Sequence, residues 1–549
     1  MAFRRRISLV AATAAIALGL SACAGTPTGS TGSPSTGPTA DAAAGIEIGP
    51  FGGQQLAKGE PVQGGELKWG VWLPIQSLDS TGVMGDSIAL AMKTIYGSLM
   101  TATADGRVEP NLAESLETTD NLVWTMKLDP QVVFTDGTPL NAESVITHIT
   151  NVGAEGSTST QAGDARRITA MKAMDEFTVE FTLAKPDNQF GLMFTEGSLG
   201  LIPSPTARIA AGPDFATNPV GAGPFKVQSF TPGIEVVLVK NPDYKFADQG
   251  LPYLDKLTLT TVQEESSRID ATRAGSIDGG TVASVPSLEE ARAGGLIGLE
   301  QPVYSAFYLI LNNGDDVLSD LRVRQALNAA IDRAAINQVV YEGLHQPMDG
   351  MLVPSHPYAD AGAEWPGYDV ERAKELIADY LEDTGEKEID LTITIVPGGD
   401  NAQVAPLVQQ MLAAVGIKVN IETQDQTALV GKFAAADYDI ALITRPVQPE
   451  TTTALSQYFH SESSRNWSQV SIPELDAVFG EAASALSDDE RLSYVPQMLD
   501  ILAEHAVAVP IVSAGAGRLV GKRVGGFPDG DPTTRTIEIV DFSRVWVTD

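Results

Sequence analysis

Apolar and polar residues alternate over 66–72, where Leu67, Trp69 and Val71 share one face, and this period of two predicts a half-buried strand. The same rhythm returns at Leu122, Trp124, Met126 and Leu128, and again at Phe177, Val179, Phe181 and Leu183. Three more strands are predicted over 225–230, 234–240 and 257–262. A helix is predicted over 86–99, and another begins after Asn141, whose side chain suits an N-cap. Asp129-Pro130 and Asp136-Gly137-Thr138-Pro139 punctuate the strands as turns, so this part of the chain reads as α+β.

Beyond residue 310 the rhythm changes. Helices are predicted over 321–342, closed by Gly343, and over 369–380. Strand 390–396, helix 401–415, strand 417–423, helix 426–436 and strand 438–444 then follow one another, an order that implies a mainly parallel, covered sheet. Ser471-x-x-Glu474 and Ser487-x-x-Glu490 have the form of capping boxes at two late helices, and 507–512 is an apolar strand. No internal repeat is present. The fold class expected is α/β with an α+β lobe.

The first residues follow a different logic. Arg4 to Arg6 precede an apolar run over 7–20, then Ser21, Ala22 and Cys23, which is the order of a secretory signal. Cys23 is the only cysteine, so no disulfide within the chain explains it. Leu20-Ser21-Ala22-Cys23 resembles a bacterial lipobox, which implies cleavage before Cys23 and lipidation of its sulfur; an ordinary cleaved signal is the alternative. Residues 1–22 are read as a signal peptide, with Sec or twin-arginine export both open. Residues 23–63 are read as the lipidated cysteine and a flexible linker, because this Gly, Ser, Thr, Pro and Ala-rich stretch holds few large apolar side chains. No later stretch reaches the roughly 18 apolar residues of a membrane span, so the expected location is the cell membrane, through a lipid anchor only, at the extracytoplasmic face.

The net charge of −34 changes the picture of partners: an acidic surface repels phosphate backbones and excludes nucleic acid. A chain this long, 43% hydrophobic, builds about two to four domains. The chain lacks a Gly-x-Ser-x-Gly elbow, a His-Glu-x-x-His pair and a phosphate loop. Its five histidines, His148, His345, His356, His460 and His505, contain no i, i+4 pair. No enzyme activity, cofactor or metal site is expected.

A set of ordered landmarks carries a family resemblance. Trp124 to Leu128 leads to Val133-Phe134-Thr135-Asp136-Gly137-Thr138-Pro139-Leu140-Asn141-Ala142-Glu143; then come Pro219 to Phe225, Asn241-Pro242-Asp243-Tyr244 and Ala274-Gly275-Ser276-Ile277-Asp278. Leu311-Asn312-Asn313, Asp320 to Leu327 and Ala330-Ile331-Asp332-Arg333 complete the set. Together they resemble the family 5 extracellular solute-binding proteins, the peptide, nickel and opine receptors of ABC importers, over about residues 64–540. The resemblance implies a periplasmic-binding-protein-like fold of type II with three lobes. Lobe I would comprise 64–105, 218–309 and 507–549, the inserted lobe II 106–217, and lobe III 310–506. Two strands would cross between lobes I and III near 308–312 and 503–507, allowing hinge closure over a ligand. The implied function is a monomeric receptor that captures oligopeptides or related small polar solutes and delivers them to ABC permease subunits. A receptor-like lipoprotein acting as sensor, chaperone or adhesin is the alternative.

Candidate ligand contacts divide between the facing lobes. Gln76 and Ser77 lie in the loop after the first strand, which lines the cleft in the family, though a plain connector would look the same. Tyr304, Phe307 and Tyr308 either stack on ligand or pack the hinge. Asp400 and Asn401 follow a strand's carboxyl end, where open α/β sheets bind ligands; Asp400 also suits an N-cap. Asn466 and Trp467 match a family position near ligand. Trp124, Phe134, Asp320, Arg322, Arg324 and Asp332 are read as fold-building, and Gly221 and Gly223 as permitting a turn.

Arg445 stands apart. Peptide-binding relatives often carry an Asp four residues before a proline, pairing with the peptide ammonium; here Pro449 places Arg445 there. A cation at that place repels an ammonium and favours a carboxylate, phosphate or similar anion. A solvated arginine at the cleft rim is the competing reading.

Overall fold

Strand Glu66–Val71 forms where the alternation predicts it, with Leu67, Trp69 and Val71 buried. It is the middle strand of a seven-stranded sheet ordered Ile297–Gln301, Ala516–Val520, Gly279–Val282, Glu66–Val71, Lys256–Thr261, Glu235–Lys240, Phe225–Thr231. Only its pairings with Lys256–Thr261 and Gly279–Val282 are parallel. Helix Asp86–Tyr96 packs on this sheet and sends Leu90, Met92 and Ile95 into the same core as Trp69. Burying each such side chain contributes about 1.5–3 kcal/mol. In this computed structural model the described residues are 60–82, 86–102, 107–301, 304–354, 356–397, 400–446, 450–463, 465–527 and 540–548, within one unit spanning 47–549. The signal segment, Cys23 and the linker as far as residue 59 lie outside them.

Residues 113–183 build a four-stranded antiparallel sheet, ordered Ala113–Thr118, Val123–Leu128, Thr178–Leu183, Ile168–Ala173. Asn141 caps helix Ala142–Val152 as expected: its Oδ1 accepts from Ser144 N at 3.0 Å, and Ser144 Oγ accepts from Asn141 N at 3.1 Å. Trp124 and Phe134 are core residues here, and Asp136 closes its turn by accepting from Thr138 N at 2.9 Å and Ser204 Oγ at 2.6 Å. Gly221 and Gly223 owe their identity to close approach. A Cβ at either would fall 2.4 and 2.7 Å from Ile95 O, because this segment runs against the end of helix Asp86–Tyr96.

The second half forms a five-stranded sheet ordered Ile417–Thr423, Ile389–Ile395, Ile440–Pro446, Ser305–Leu311, Ala508–Ser513. Its first three strands are parallel, as the strand–helix alternation predicts; the last two join antiparallel. One face packs on helices Leu321–Ala330, Val370–Thr384 and Asn401–Ala414, the other on Thr451–Phe459 and Val495–Glu504. The helix expected over 321–342 is broken. Ile331 is extended, and Asp332 starts a new helix, Arg333–Tyr341, by accepting from Ala335 N at 2.9 Å. Ser487 caps Asp488–Leu492, whereas Ser471 caps nothing: helix Pro473–Ser484 begins two residues later, with Ile472 at the cap. Arg324 makes no intrahelical ion pair and instead donates to the carbonyls of Leu318, Ser319 and His505.

The chain passes between the two larger sheets twice. It leaves the seven-stranded sheet after Gln301 and enters the five-stranded sheet at Ser305; it returns after Ser513 and re-enters at Ala516. Both passages differ from the expected positions near 308–312 and 503–507. Strand Ala508–Ser513 belongs with the five-stranded sheet, because it pairs with Ser305–Leu311 along its length.

Candidate functional site

The two passages meet one end of the five-stranded sheet, where Ser305–Leu311 begins and Ile440–Pro446 and Ala508–Ser513 end. Arg445 lies there, in register with Ala306, whose single methyl leaves room for a long side chain on that face. Arg445 is 4% exposed. Its guanidinium carbon lies 4.6 Å from the Tyr458 ring centroid, 5.8 Å from Phe459 and 5.7 Å from Trp467. These ring faces attract the cation without using its N–H groups. Nε and Nη2 are buried, and neither has a hydrogen-bond partner among the described residues. Burial lowers the pKa to about 10, so the group stays charged at neutral pH. The arginine is therefore not solvated at a rim; it is an enclosed cation with two unmet donor atoms.

Around it, further contacts support the rings in this conformation. The Trp467 indole stacks on Phe433 with centroids 4.6 Å apart, and Tyr438 Oη donates to the Trp467 carbonyl. Tyr308 Oη donates to Met351 O at 2.7 Å. Burial raises the hydroxyl pKa of Tyr308 and of Tyr438, so both remain neutral.

On the opposite face of the same sheet end, Phe307, Tyr341 and His345 form a ladder of rings. Centroids lie 6.0 Å apart for Phe307–Tyr341 and 4.2 Å for Tyr341–His345. Asp400 stands beside this ladder. Its backbone is helical and its side chain makes no cap bond, so the N-cap role is not filled by it. Burial and then the Asp400 charge raise the Tyr341 hydroxyl pKa. The hydroxyl itself is buried and has no partner in hydrogen-bond geometry among the described residues. Asn401 is half-buried in the first turn of helix Asn401–Ala414.

The remaining candidates fall elsewhere. Tyr304 sits edge-on to His356 within the core, 4.7 Å between centroids, which favours the packing role. Asn466 spends its amide on its own loop, donating to Val470 O at 2.7 Å and accepting from Val470 N at 3.0 Å. Gln76 is exposed beside Gly233, and Ser77 Oγ accepts from Asp79 N at 3.2 Å. Asp79 ties this loop to Arg208 through two bonds of 2.8 Å, so Gln76 and Ser77 stay with the seven-stranded sheet and are not drawn into the Arg445 cluster. Burial works to raise the Asp79 pKa, but the Arg208 guanidinium and the Thr81 N–H and hydroxyl together hold the carboxyl below its ordinary value. Tyr458, Phe459, Tyr341 and His345 were not anticipated. Tyr458 and Phe459 end a helix and are indistinguishable in sequence from core aromatics.

A second opening lies where the four-stranded sheet region meets the late helices. A cavity of about 330 Å³ is lined by Gln161, Asn188 and Gln189 on one side and Thr452, Ser456 and Gln457 on the other. Asn188 Nδ2 donates to Ala482 O at 2.7 Å and Asn121 Nδ2 to Ala485 O at 2.8 Å, so inserted-segment amides cap the carbonyl end of helix Pro473–Ser484. Among the described residues no group of three or more His, Cys, Asp or Glu is placed to hold a metal, and no helix is long and apolar enough to cross a membrane.

Comparison with known proteins gives a consistent result. The family model for bacterial extracellular solute-binding proteins, family 5, matches residues 107–466. The glutathione-binding protein GsiB of Salmonella typhi is 28% identical over 355 residues, covering 63% of this chain and 66% of that protein. GsiB of Shigella dysenteriae is 26% identical over 470 residues, 82% of this chain and 88% of that protein. The match thus spans 66% of the length of the first of these relatives. Among solved structures, the unliganded open form of the periplasmic murein tripeptide-binding protein MppA superposes with a TM-score of 0.75 at 20% identity, covering 90% of this chain and 98% of that one. The substrate-binding protein CtaP of Listeria monocytogenes gives 0.74 at 23% identity, covering 89% and 100%. DppA from Helicobacter pylori, in complex with the peptide STSA, gives 0.71 at 23%, covering 89% and 99%. At these identities the likeness is one of fold.

Proposed function

Because this chain belongs to the bacterial extracellular solute-binding proteins of family 5, we propose that it is a lipid-anchored receptor that captures oligopeptides or related small polar solutes and hands them, unaltered, to an ABC permease. In this reading Cys23 carries the lipid, residues 24–63 are the tether, and the protein works as a monomer outside the cell membrane. The lobes are those expected from the sequence, with Ser305 to Leu309 and strand Ala508–Ser513 moved to lobe III. Ligand lies at the sheet end by the two passages, against Arg445, Trp467, Phe307, Asp400 and Asn401, with Gln76 and Ser77 facing from lobe I.

The observation that carries the reading is the pair of passages at 301–305 and 513–516, which join two otherwise separate sheets. Two adjacent connections permit hinge bending and restrict twist, so a ligand with better contacts in the closed state drives closure. The glutathione and peptide ligands in the relatives' names are consistent with a small, polar, amide-containing cargo.

Denaturing the purified protein and analysing the released small molecules by mass spectrometry tests this directly. A polar solute is expected, and its uptake should fall in cells lacking the protein. Release of such a solute with unchanged uptake would leave binding intact and remove transport, the outcome expected of a sensor.

A further inference from the structure

We propose that Arg445 receives the carboxylate of the solute in a side-on, two-bond grip, so that the receptor selects ligands by a free carboxylate rather than by an ammonium or a phosphate. The proposal rests on the receptor reading above and specifies which end of the cargo enters the Arg445 cluster.

The two unmet donors carry it. Nε and Nη2 lie along one edge of the planar guanidinium, spaced to meet the two oxygens of a carboxylate with parallel N–H···O bonds. Three other buried arginines do not keep such an edge empty. Arg324 and Arg333 donate to main-chain and side-chain carbonyls, and Arg491 meets Glu450 and Asp488. At Arg445 the surroundings are rings instead, at 4.6, 5.7 and 5.8 Å. They hold the cation in place and leave its donors free.

The same rings choose between anions. Aromatic faces carry negative quadrupole charge. A carboxylate spends both oxygens on the guanidinium edge and presents no further charge to the rings. A phosphate would bring a second charge and further oxygens that one buried cation leaves uncompensated in a desolvated setting. An ammonium at this place would meet a like charge in a desolvated setting. Nε and Nη2 are closed from solvent in this conformation, so the carboxylate enters only if a wall moves. Trp467 is the half-buried member of the set and is the wall assigned to move, its indole leaving the Phe433 stack as it swings.

The test uses the purified protein and an equimolar pool of di- and tripeptides in three forms: free, N-acetylated and C-amidated, with binding read by tryptophan fluorescence and thermal shift. Free and acetylated pools should bind alike and the amidated pool roughly 10- to 100-fold more weakly, the loss of a charge-assisted pair. Arg445→Gln should reduce binding of the free pool to that of the amidated pool, with its unliganded melting not below that of the parent protein. Equal binding of free and amidated pools would overturn the carboxylate grip and leave the receptor reading standing. Binding by none of the pools would overturn the grip on a peptide carboxylate, and the receptor reading falls with it only if denaturing the protein also releases no polar solute. Displacement of the free pool by inorganic phosphate as effectively as by acetate would overturn the choice of carboxylate.

Discussion

Arg333 and Arg445 are buried to similar depth against the same five-stranded sheet, 6% and 4% exposed, and burial lowers both pKa values to about 10. Around Arg333 the fold supplies acceptors: Nε donates to Pro510 O at 2.7 Å, Nη1 to Asn328 O at 3.3 Å and Nη2 to Asn328 Oδ1 at 3.0 Å. Asn328 Oδ1 is fixed in turn by Trp365 Nε1 at 2.8 Å. Around Arg445 there are three rings and an open edge. Each unmet buried donor costs about 1–3 kcal/mol, while cation–π contacts return about 0.5–2 kcal/mol each, so the second arginine is near break-even for the folded chain. An arginine whose role ends with folding is completed by the fold. Arg445, left incomplete beside the two passages, is the one proposed above to be completed by a ligand.

Three substitutions probe that contrast. Arg491→Met should have the largest effect, because it leaves the buried Glu450 carboxylate without its cation; a loss of about 3–5 kcal/mol is expected in urea denaturation. Arg333→Met strands the carbonyls of Pro510 and Asn328 and should cost about 2–3 kcal/mol by the same measurement. Arg445→Met should leave stability within about 1 kcal/mol of the parent, unchanged or higher. A loss at Arg445 equal to that at Arg333 would make it a structural pillar and erase the contrast.

Much of this architecture was legible in the residues. The strands at 66–71 and 123–128 declare themselves because one face is buried and the side-chain period is two. The Asn141 cap is equally plain, since its chemistry is local. The break at Ile331 was hidden because Leu321 to Tyr341 keeps an apolar stripe on both sides of it, and only the competition of Asp332 for Ala335 N ends the first helix. The passages were misplaced for a related reason: Ser305–Leu311 is apolar throughout, so nothing in its pattern marks where one sheet ends and another begins. At the site, Arg445 was visible from its distance to Pro449, but the ring set that encloses it was not. Tyr458 and Phe459 end one helix and Trp467 lies in the loop beyond it, and only the packing of helix Thr451–Phe459 against the sheet brings them to one guanidinium. Asn466 illustrates the opposite error, a polar residue in the right neighbourhood whose amide is already spent.

The pairing of Ala516–Val520 between Ile297–Gln301 and Gly279–Val282 has a consequence for biogenesis. Until the ribosome has released residue 520, strand Ile297–Gln301 has no neighbour and the larger sheet has a gap in it; the smaller sheet likewise waits for Ala508–Ser513 at its edge. Neither of the two larger sheets can be completed before the last part of the chain is made, which would suit the export proposed above.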